Sequence, residues 1–341
     1  MRLTRRAVVL GLGATATVGA AGHALAQRPA ALSEPTPVDL RCLAIPSLSV
    51  TDPERRRFGA FTFRSGIELR SSFAGFGGFS GLWRSPDGQD LVALTDNAQW
   101  LTARVEAGEG RLVGLSNPVM APLLIGEGTL LRRTRYYDTE GLAIAGGIAY
   151  VAVERNHAVL RFDWARGGVT ARGRLVPLPD QVRSLPGNSG LEGLAVAPAR
   201  SPLAGALVAV AERSQGGDGA PTTGFILTGP RRGAFEVARS DAYDLTDMAF
   251  LPNGEALILE RRFSLLRGIS ARVRRLAPDA IRPGAVADGP VIFESEPSHQ
   301  IDNMEGLALH REGSDTIVTM ISDDNFSTLQ RTVMLEFVLK G

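Results

Sequence analysis

The sequence has little sulfur chemistry, almost no net charge and no long hydrophobic run. Cys42 is the only cysteine among 341 residues, which excludes an intramolecular disulfide. The longest uncharged run near the N-terminus, residues 7–22, is shorter than the ~20 residues of a membrane-spanning helix. A formal net charge of +1 provides no broad basic face for nucleic acid. We therefore expect no nucleic-acid partner and no stable membrane insertion.

The N-terminus has the features of an export signal. Arg5 and Arg6 precede the uncharged run, and Ala24 and Ala26 follow it as a small-x-small cleavage site. Paired arginines are typical of signals for the twin-arginine export machinery, which is then an expected partner. We predict a signal peptide over residues 1–26, a flexible linker over 27–40 and a single domain over 41–341. The mature protein is expected in the periplasm or outside the cell; an uncleaved N-terminal helix is the alternative.

One hairpin motif recurs along the rest of the chain. Each copy has a first strand such as Glu-Gly-Leu-Ala, a turn, and a second apolar strand that ends on a charged residue. Turns at residues 86–88, 146–147 and 252–254 contain the Gly and Asn that tight hairpins need for positive φ. Successive copies start roughly 50 to 60 residues apart, the length of a propeller blade.

This repeat predicts an all-β fold, a β-propeller of four-stranded blades. An ordinary β-sandwich has alternating strands but does not repeat one motif at blade spacing. Residues 41–70 and 332–338 are expected to pair with each other and close the ring without an exposed edge strand. If they form a blade of their own, the propeller has six blades, which is the preferred prediction. Five blades is the alternative.

Carboxylates occur at two fixed places in the motif. Those at the start of the first strand are Glu140, Glu192, Asp247 and Glu305, with Ser80 in the first copy. Those at the end of the second strand are Asp96, Glu154, Glu212, Glu260 and Asp323. Because a hairpin brings these two places together, the ring of blades should gather the acids at one mouth of the channel.

Crowded carboxylates either share protons or surround a cation. An all-oxygen ligand set without clustered Cys or His favours calcium, and the four histidines lack the spacing of a zinc site. The predicted calcium ligands are Asp96, Glu140, Glu192, Asp247, Glu305 and Asp323. In the alternative interpretation, the acids only cap turns or pair with the arginines that follow them, such as Arg155 and Arg213.

The motifs resemble the phytase-like family, described as "esterase-like activity of phytase". The resemblance rests on segments 79–82, 94–97, 138–142, 154–155, 191–194, 260–261, 303–307 and 322–325. It implies a propeller that hydrolyses esters, with phosphate esters among the expected substrates, and with calcium assistance. Under that hypothesis Glu140 and Glu305 serve catalysis with the metal, and Arg155 or Arg213 stabilises negative charge on the substrate.

Two other functions remain open on sequence grounds. One is a non-catalytic periplasmic binding or scaffold propeller whose central cation only makes the ring rigid. The other is a sugar-lactone or quinone-dependent oxidoreductase propeller. That class would need a histidine among the channel ligands, and no copy of the motif supplies one.

Overall fold

The computed structural model describes residues 32–185, 190–213, 216–217, 219–264 and 268–340. The predicted signal peptide, residues 1–26, lies outside these ranges. Within them the strands form five sheets, and the helices are single short turns. No helix in this part of the chain is long and apolar enough to cross a membrane.

Each sheet starts at the centre of the molecule with the first strand of one hairpin motif. The inner strands of blades 1 to 5 are Phe79–Arg84, Thr139–Ala145, Leu191–Val196, Asp244–Phe250 and Asn303–Glu312. Every inner strand contacts the inner strands of both neighbouring blades, and the fifth contacts the first. The predicted all-β propeller is confirmed.

Four strands build each blade from the centre outward. The second strands are Asp90–Thr95, Ile148–Val153, Leu207–Ala211, Ala256–Ser264 and Asp315–Asp323. The third strands are Gln99–Gly108, Ala158–Asp163, Thr222–Ile226, Gly268–Leu276 and Thr332–Leu339. The fourth strands are Arg111–Pro122, Arg172–Leu175, Gly233–Val237, Val291–Glu294 and Phe61–Arg70. All neighbouring pairs in this series are antiparallel.

Short elements extend the blade edges. The extra strands are Thr36–Pro37, Arg41–Ile45, Arg57–Phe58, Leu124–Ile125, Thr129–Leu130 and Val286–Ala287. The helical turns are Trp164–Gly167 and Asp180–Arg183, with 3-10 turns at Leu131–Arg133 and Gly168–Thr170. Part of the predicted linker is therefore ordered, because Thr36–Pro37 pairs with the outer strand of blade 1.

The propeller has five blades, the alternative count, and not the preferred six. The two terminal segments do pair as predicted, with Thr332 opposite Leu69 and Leu339 opposite Phe61. The C-terminal strand, however, also pairs with Asp315–Asp323 of the fifth hairpin. Among the described residues one strand follows that hairpin, so Phe61–Arg70 completes its blade and no described strand remains for a sixth.

The core consists of layers between adjacent blades. Five clusters of buried apolar residues are present, one at each blade–blade interface. Successive side chains of a strand point to opposite faces, so one strand serves two layers. In the second strand of blade 1, Leu91 and Ala93 pack toward blade 5, whereas Val92 and Leu94 pack toward blade 2.

Glycine in the motif allows the inner strands to approach each other closely. A Cβ on Gly141 would lie 2.2 Å from the main-chain oxygen of Glu192 in the next blade. No other residue fits there without a shift of backbone. The glycine therefore sets the distance between the acids that flank it in neighbouring blades.

Candidate functional site

Every inner strand has a β-bulge at the same place, near its start. The register breaks there in all five blades, so an extra residue leaves the ladder. The bulged residues are Ser80, Glu140, Glu192, Thr246 and Glu305. Bulges redirect side chains, and in a ring of blades they direct them to the same mouth of the channel.

The strand register corrects the alignment of the motif copies in blade 4. Asp247 pairs with Leu259 there, as Gly193 pairs with Val210 in blade 3, so Asp247 occupies the glycine position of the motif. Glu260 is likewise shifted by one residue, and Arg261 occupies the place that Glu212 has in blade 3. Blade 4 thus contributes Thr246 and Arg261 where its neighbours contribute acids.

The mouth contains two groups of three carboxylates. In the first group, ligand oxygens of Asp138, Glu140 and Glu154 lie within 4.8 Å of one another. In the second, Glu154 joins Glu192 and Glu212 at the same spacing. Glu154 is common to both groups. These groups of acids in blades 2 and 3 have the spacing needed to bind a metal ion.

Of the remaining predicted ligands, Asp96, Glu305 and Asp323 belong to neither of these two groups. Asp323 and Glu305 are buried, and their charges act on each other and on Asp96. The Asp323 carboxylate also accepts a hydrogen bond from the main-chain nitrogen of Asn325 at 2.7 Å. Asn303 donates to the Glu305 carboxylate at 2.7 Å. Asp96, Glu305 and Asp323 therefore form the blade 1 and blade 5 side of the mouth.

Burial and mutual repulsion raise the pKa values of these acids. Burial, followed by the charges of Glu192 and Glu305, raises the pKa of Glu140 well above its usual value. Burial, followed by the charges of neighbouring carboxylates, likewise raises the pKa of Glu192 well above its usual value. Burial and the neighbouring Asp138 raise the pKa of Glu154 to about 7. Without a cation, these acids therefore keep their protons to higher pH than exposed carboxyls do.

Arg261 is the cation built into this mouth. Its Nε lies 3.0 Å from Oε1 of Glu305, and its Nη2 lies 3.5 Å from Oε1 of Glu212. Although burial alone would lower it, these carboxylates and Glu192 raise the pKa of Arg261. Arg261 therefore balances part of the negative charge on the blade 4 side. Alignment by hairpin register would have found it; alignment by residue type did not.

Asp247 and Glu260 are buried, lie outside the two groups of three carboxylates, and have other partners. Asp247 accepts the main-chain N–H of Leu307 at 2.7 Å and of Met248 at 2.8 Å. Glu260 is fully buried between Arg272 and Arg274, each with a nitrogen 2.7 Å from its carboxylate. The contacts of Asp247 link neighbouring inner strands, so its position favours a structural role.

The two predicted catalytic arginines lie at the rim and are held by acids. Arg155 pairs with Asp138 and donates to the Tyr137 hydroxyl at 2.8 Å. Arg213 lies 3.0 Å from Glu212 and 2.7 Å from Asp244. Their side chains remain about half exposed, at 50% and 45%. Asp138 thus connects the first group of carboxylates to Arg155. The alignment of the motif copies did not propose Asp138 as a ligand.

Among the described residues, hydroxyl and imidazole side chains belong to neither of the two groups of carboxylates. Ser80 donates to the main-chain oxygen of Thr139 at 2.8 Å, and Thr246 to that of Met304 at 3.1 Å. Among the described histidines, His299 packs edge-on against Phe58 and His310 lies beside Glu312. None of them belongs to either group of acids. In this part of the chain, the site offers oxygen donors and arginines.

A family model described as "Phytase-like: Esterase-like activity of phytase" matches residues 74–326. No curated protein matches the chain. Among solved structures, the chain is similar to the PQQ-bound form of aldose sugar dehydrogenase from Streptomyces coelicolor, with 12% identity, a TM-score of 0.40, and coverage of 89% of this chain and 99% of that chain. It is also similar to Myxococcus xanthus glutaminyl cyclase, with 13% identity, a TM-score of 0.39, and coverage of 77% and 92%.

Proposed function

The chain belongs to the phytase-like family, and from this premise we propose that it is a calcium-dependent hydrolase of esters, phosphate esters included. The observation that best supports the proposal is the two groups of three carboxylates at one mouth of the channel, which have Glu154 in common. We propose the periplasm or the cell exterior as its location, from the twin-arginine pattern at Arg5 and Arg6.

The donor set at the mouth suits calcium. Calcium takes six to eight oxygen ligands in flexible geometry, and carboxylates are its usual protein ligands. Acids whose pKa values are raised by burial and by repulsion from one another gain most from a divalent cation, because the cation favours their charged form. Asp138, Glu140, Glu154, Glu192 and Glu212 are the proposed ligands, with Glu305 beside them.

Calcium at this mouth would polarise an ester or phosphoryl oxygen and lower the pKa of a bound water. The chain's own residues then position and stabilise. Arg155 and Arg213 are held at the rim by Asp138 and Asp244, so their guanidinium groups remain in place to bind an anionic oxygen. Arg261 limits the repulsion between Glu212 and Glu305. Because Ser80 and Thr246 donate to main-chain oxygens, water is the proposed nucleophile.

The test is hydrolysis of three chromogenic substrates by the purified mature protein: 4-nitrophenyl acetate, 4-nitrophenyl phosphate and bis(4-nitrophenyl) phosphate. We expect turnover of at least one, loss of turnover after chelation, and recovery with calcium but not magnesium. Glu192→Gln should lower kcat/KM by about 100-fold or more, since it removes a proposed ligand.

The matched control is Glu127→Gln. Glu127 is exposed and lies between Leu124–Ile125 and Thr129–Leu130, the edge strands of the blade 2 sheet. The activity of this variant should therefore stay at the wild-type value. Calcium binding without turnover of any substrate would instead favour the scaffold function. Turnover that persists in chelator would contradict the role of the metal.

A further inference from the structure

A groove lies beside the carboxylate mouth, on the rim of blade 2. Its volume is about 650 Å³, and its lining includes Arg135, Arg155 and Arg183. No Asp or Glu of the described residues lines it. Arg155 lines this groove, and its ion pair with Asp138 also places it beside the first group of carboxylates. A single ion pair thus connects the two sites.

Arg155 is paired with Asp138, but the other two arginines that line the groove have weak or neutral partners. Arg135 stacks on the ring of Tyr136 and donates to its hydroxyl at 2.7 Å. Arg183 approaches Asp180 only to 3.9 Å, and both side chains are largely exposed, at 74% and 98%. Exposed pairs of this kind contribute little. Arg135 and Arg183 therefore place positive charge on the groove, and no carboxylate among its described lining residues neutralises it.

His157 supplies an independent indication of a ligand. It lines the groove, only 8% of its surface is exposed, and its Nδ1 has no hydrogen-bond partner among the described residues. Its φ of 44° belongs to the turn over residues 154–157, in which the His157 N–H donates to the Glu154 carbonyl at 3.1 Å. Buried polar groups without partners are rare, so the unpaired Nδ1 indicates a missing contact in the lining.

One wall of the groove is apolar. It consists of residues 175–178, which begin at the last residue of the outer strand of blade 2, and Leu175 is 49% exposed. A free inorganic anion would gain nothing from this wall. An organic anion would place its charged group on the arginines and its apolar body against Leu175 and Pro177.

We propose that this groove binds an organic anion, a phosphate or carboxylate group attached to an apolar body. The inference rests on the proposed function in one respect: the anion is the part of the substrate that lies away from the reacting ester. Because Arg155 joins groove and mouth, a substrate with its ester at the carboxylates would reach the groove with its anionic end.

The experiment is calorimetric titration of metal-free protein, in excess chelator, with phenylphosphonate, whose C–P bond is not an ester. We expect saturable binding that weakens about fivefold or more in Arg135→Gln and in Arg183→Gln, since each loses a charge-assisted hydrogen bond. Arg166→Gln is the matched control, because Arg166 is 89% exposed, also in blade 2, and lies outside the groove lining. Inorganic phosphate should bind more weakly than phenylphosphonate.

Each other outcome has a defined meaning. Absence of binding, or equal binding by wild type and both groove variants, would overturn the groove site. Binding that requires calcium and ignores Arg135 and Arg183 would place the probe at the mouth, which overturns the groove but leaves the proposed hydrolase standing. Groove binding by a protein without esterase turnover would keep the anion site and reject the hydrolase. Equal affinity for inorganic phosphate would overturn the apolar part of the proposal.

Discussion

At the scale of single residues, acids that look equivalent in the sequence have opposite roles. Glu192 is a bulged residue whose carboxylate repels its neighbours at the mouth. Asp247 accepts main-chain N–H groups of Met248 and Leu307, although burial raises its pKa as well. The difference is one residue of register, which decides whether a side chain reaches the mouth or the next strand.

This difference gives a prediction for Asp247→Ala. The variant leaves two buried N–H groups without an acceptor, so we expect the free energy of unfolding to fall by at least about 2 kcal/mol, as measured by denaturant titration. Its calcium affinity should stay close to wild type, since the carboxylate is not among the proposed ligands. Glu192→Gln should show the reverse pattern, with no loss of stability in the metal-free protein and impaired calcium binding. Loss of calcium binding in Asp247→Ala at unchanged stability would contradict the structural role.

Sequence reasoning predicted the acids of blades 2, 3 and 5 at the mouth because the Glu-Gly-Leu motif specifies both bulge and glycine there. It failed in blade 4, where Thr246-Asp247-Met248 keeps the pattern of polarity but shifts the carboxylate to the glycine position. It also missed Asp138, whose place beside Glu140 and Glu154 depends on the bulge and on Arg155. Such neighbours arise from three-dimensional register, which the composition of a motif does not encode.

At the scale of elements, a buried ion pair joins blade 1 to blade 5. Arg84 of the inner strand of blade 1 lies 2.7 Å from Glu336 of the C-terminal strand, and their side chains are only 2% and 4% exposed. Arg84 also donates to the Thr319 hydroxyl at 3.1 Å. The pair therefore links the first hairpin to the strands that close the ring.

Removal of one member should be costly. We expect Glu336→Ala to lower the free energy of unfolding by about 3 to 5 kcal/mol, because it leaves a buried guanidinium without its counter-ion. The double variant Arg84→Met with Glu336→Leu should recover most of that loss. Glu296→Gln, which breaks the exposed pair with Arg55, serves as the control and should cost less than about 1 kcal/mol. Equal losses in Glu336→Ala and Glu296→Gln would contradict the account.

At the scale of the whole molecule, both chain ends close the ring in one blade. The sequence predicted the pairing of the ends, since an open propeller would expose an edge strand. It gave five blades only as the alternative to six, because the strands after the last motif can be assigned to the fifth blade only when their partners are known. Closure by Phe61–Arg70 and Thr332–Leu339 keeps five inner strands around one channel, with the carboxylates at its mouth.

The crowded mouth couples the stability of the whole fold to pH. The pKa values of Glu140 and Glu192 are raised well above normal and that of Glu154 to about 7, whereas all three titrate at about 4.3 in an unfolded chain. Above about pH 4.3 these three side chains therefore bind more protons in the folded, metal-free protein than in the unfolded chain. Their contribution to stability falls as pH rises from there through the folded pKa values. A bound cation replaces those protons and removes the penalty.

Thermal unfolding of the metal-free mature protein, with and without calcium at pH 5.5 and pH 8, tests the central claim most directly. We predict that Tm falls between pH 5.5 and pH 8 without calcium, and that calcium raises it at pH 8 far more than at pH 5.5. Glu192→Gln should reduce both effects. A Tm at pH 8 that does not respond to calcium would contradict a metal site at the carboxylate mouth.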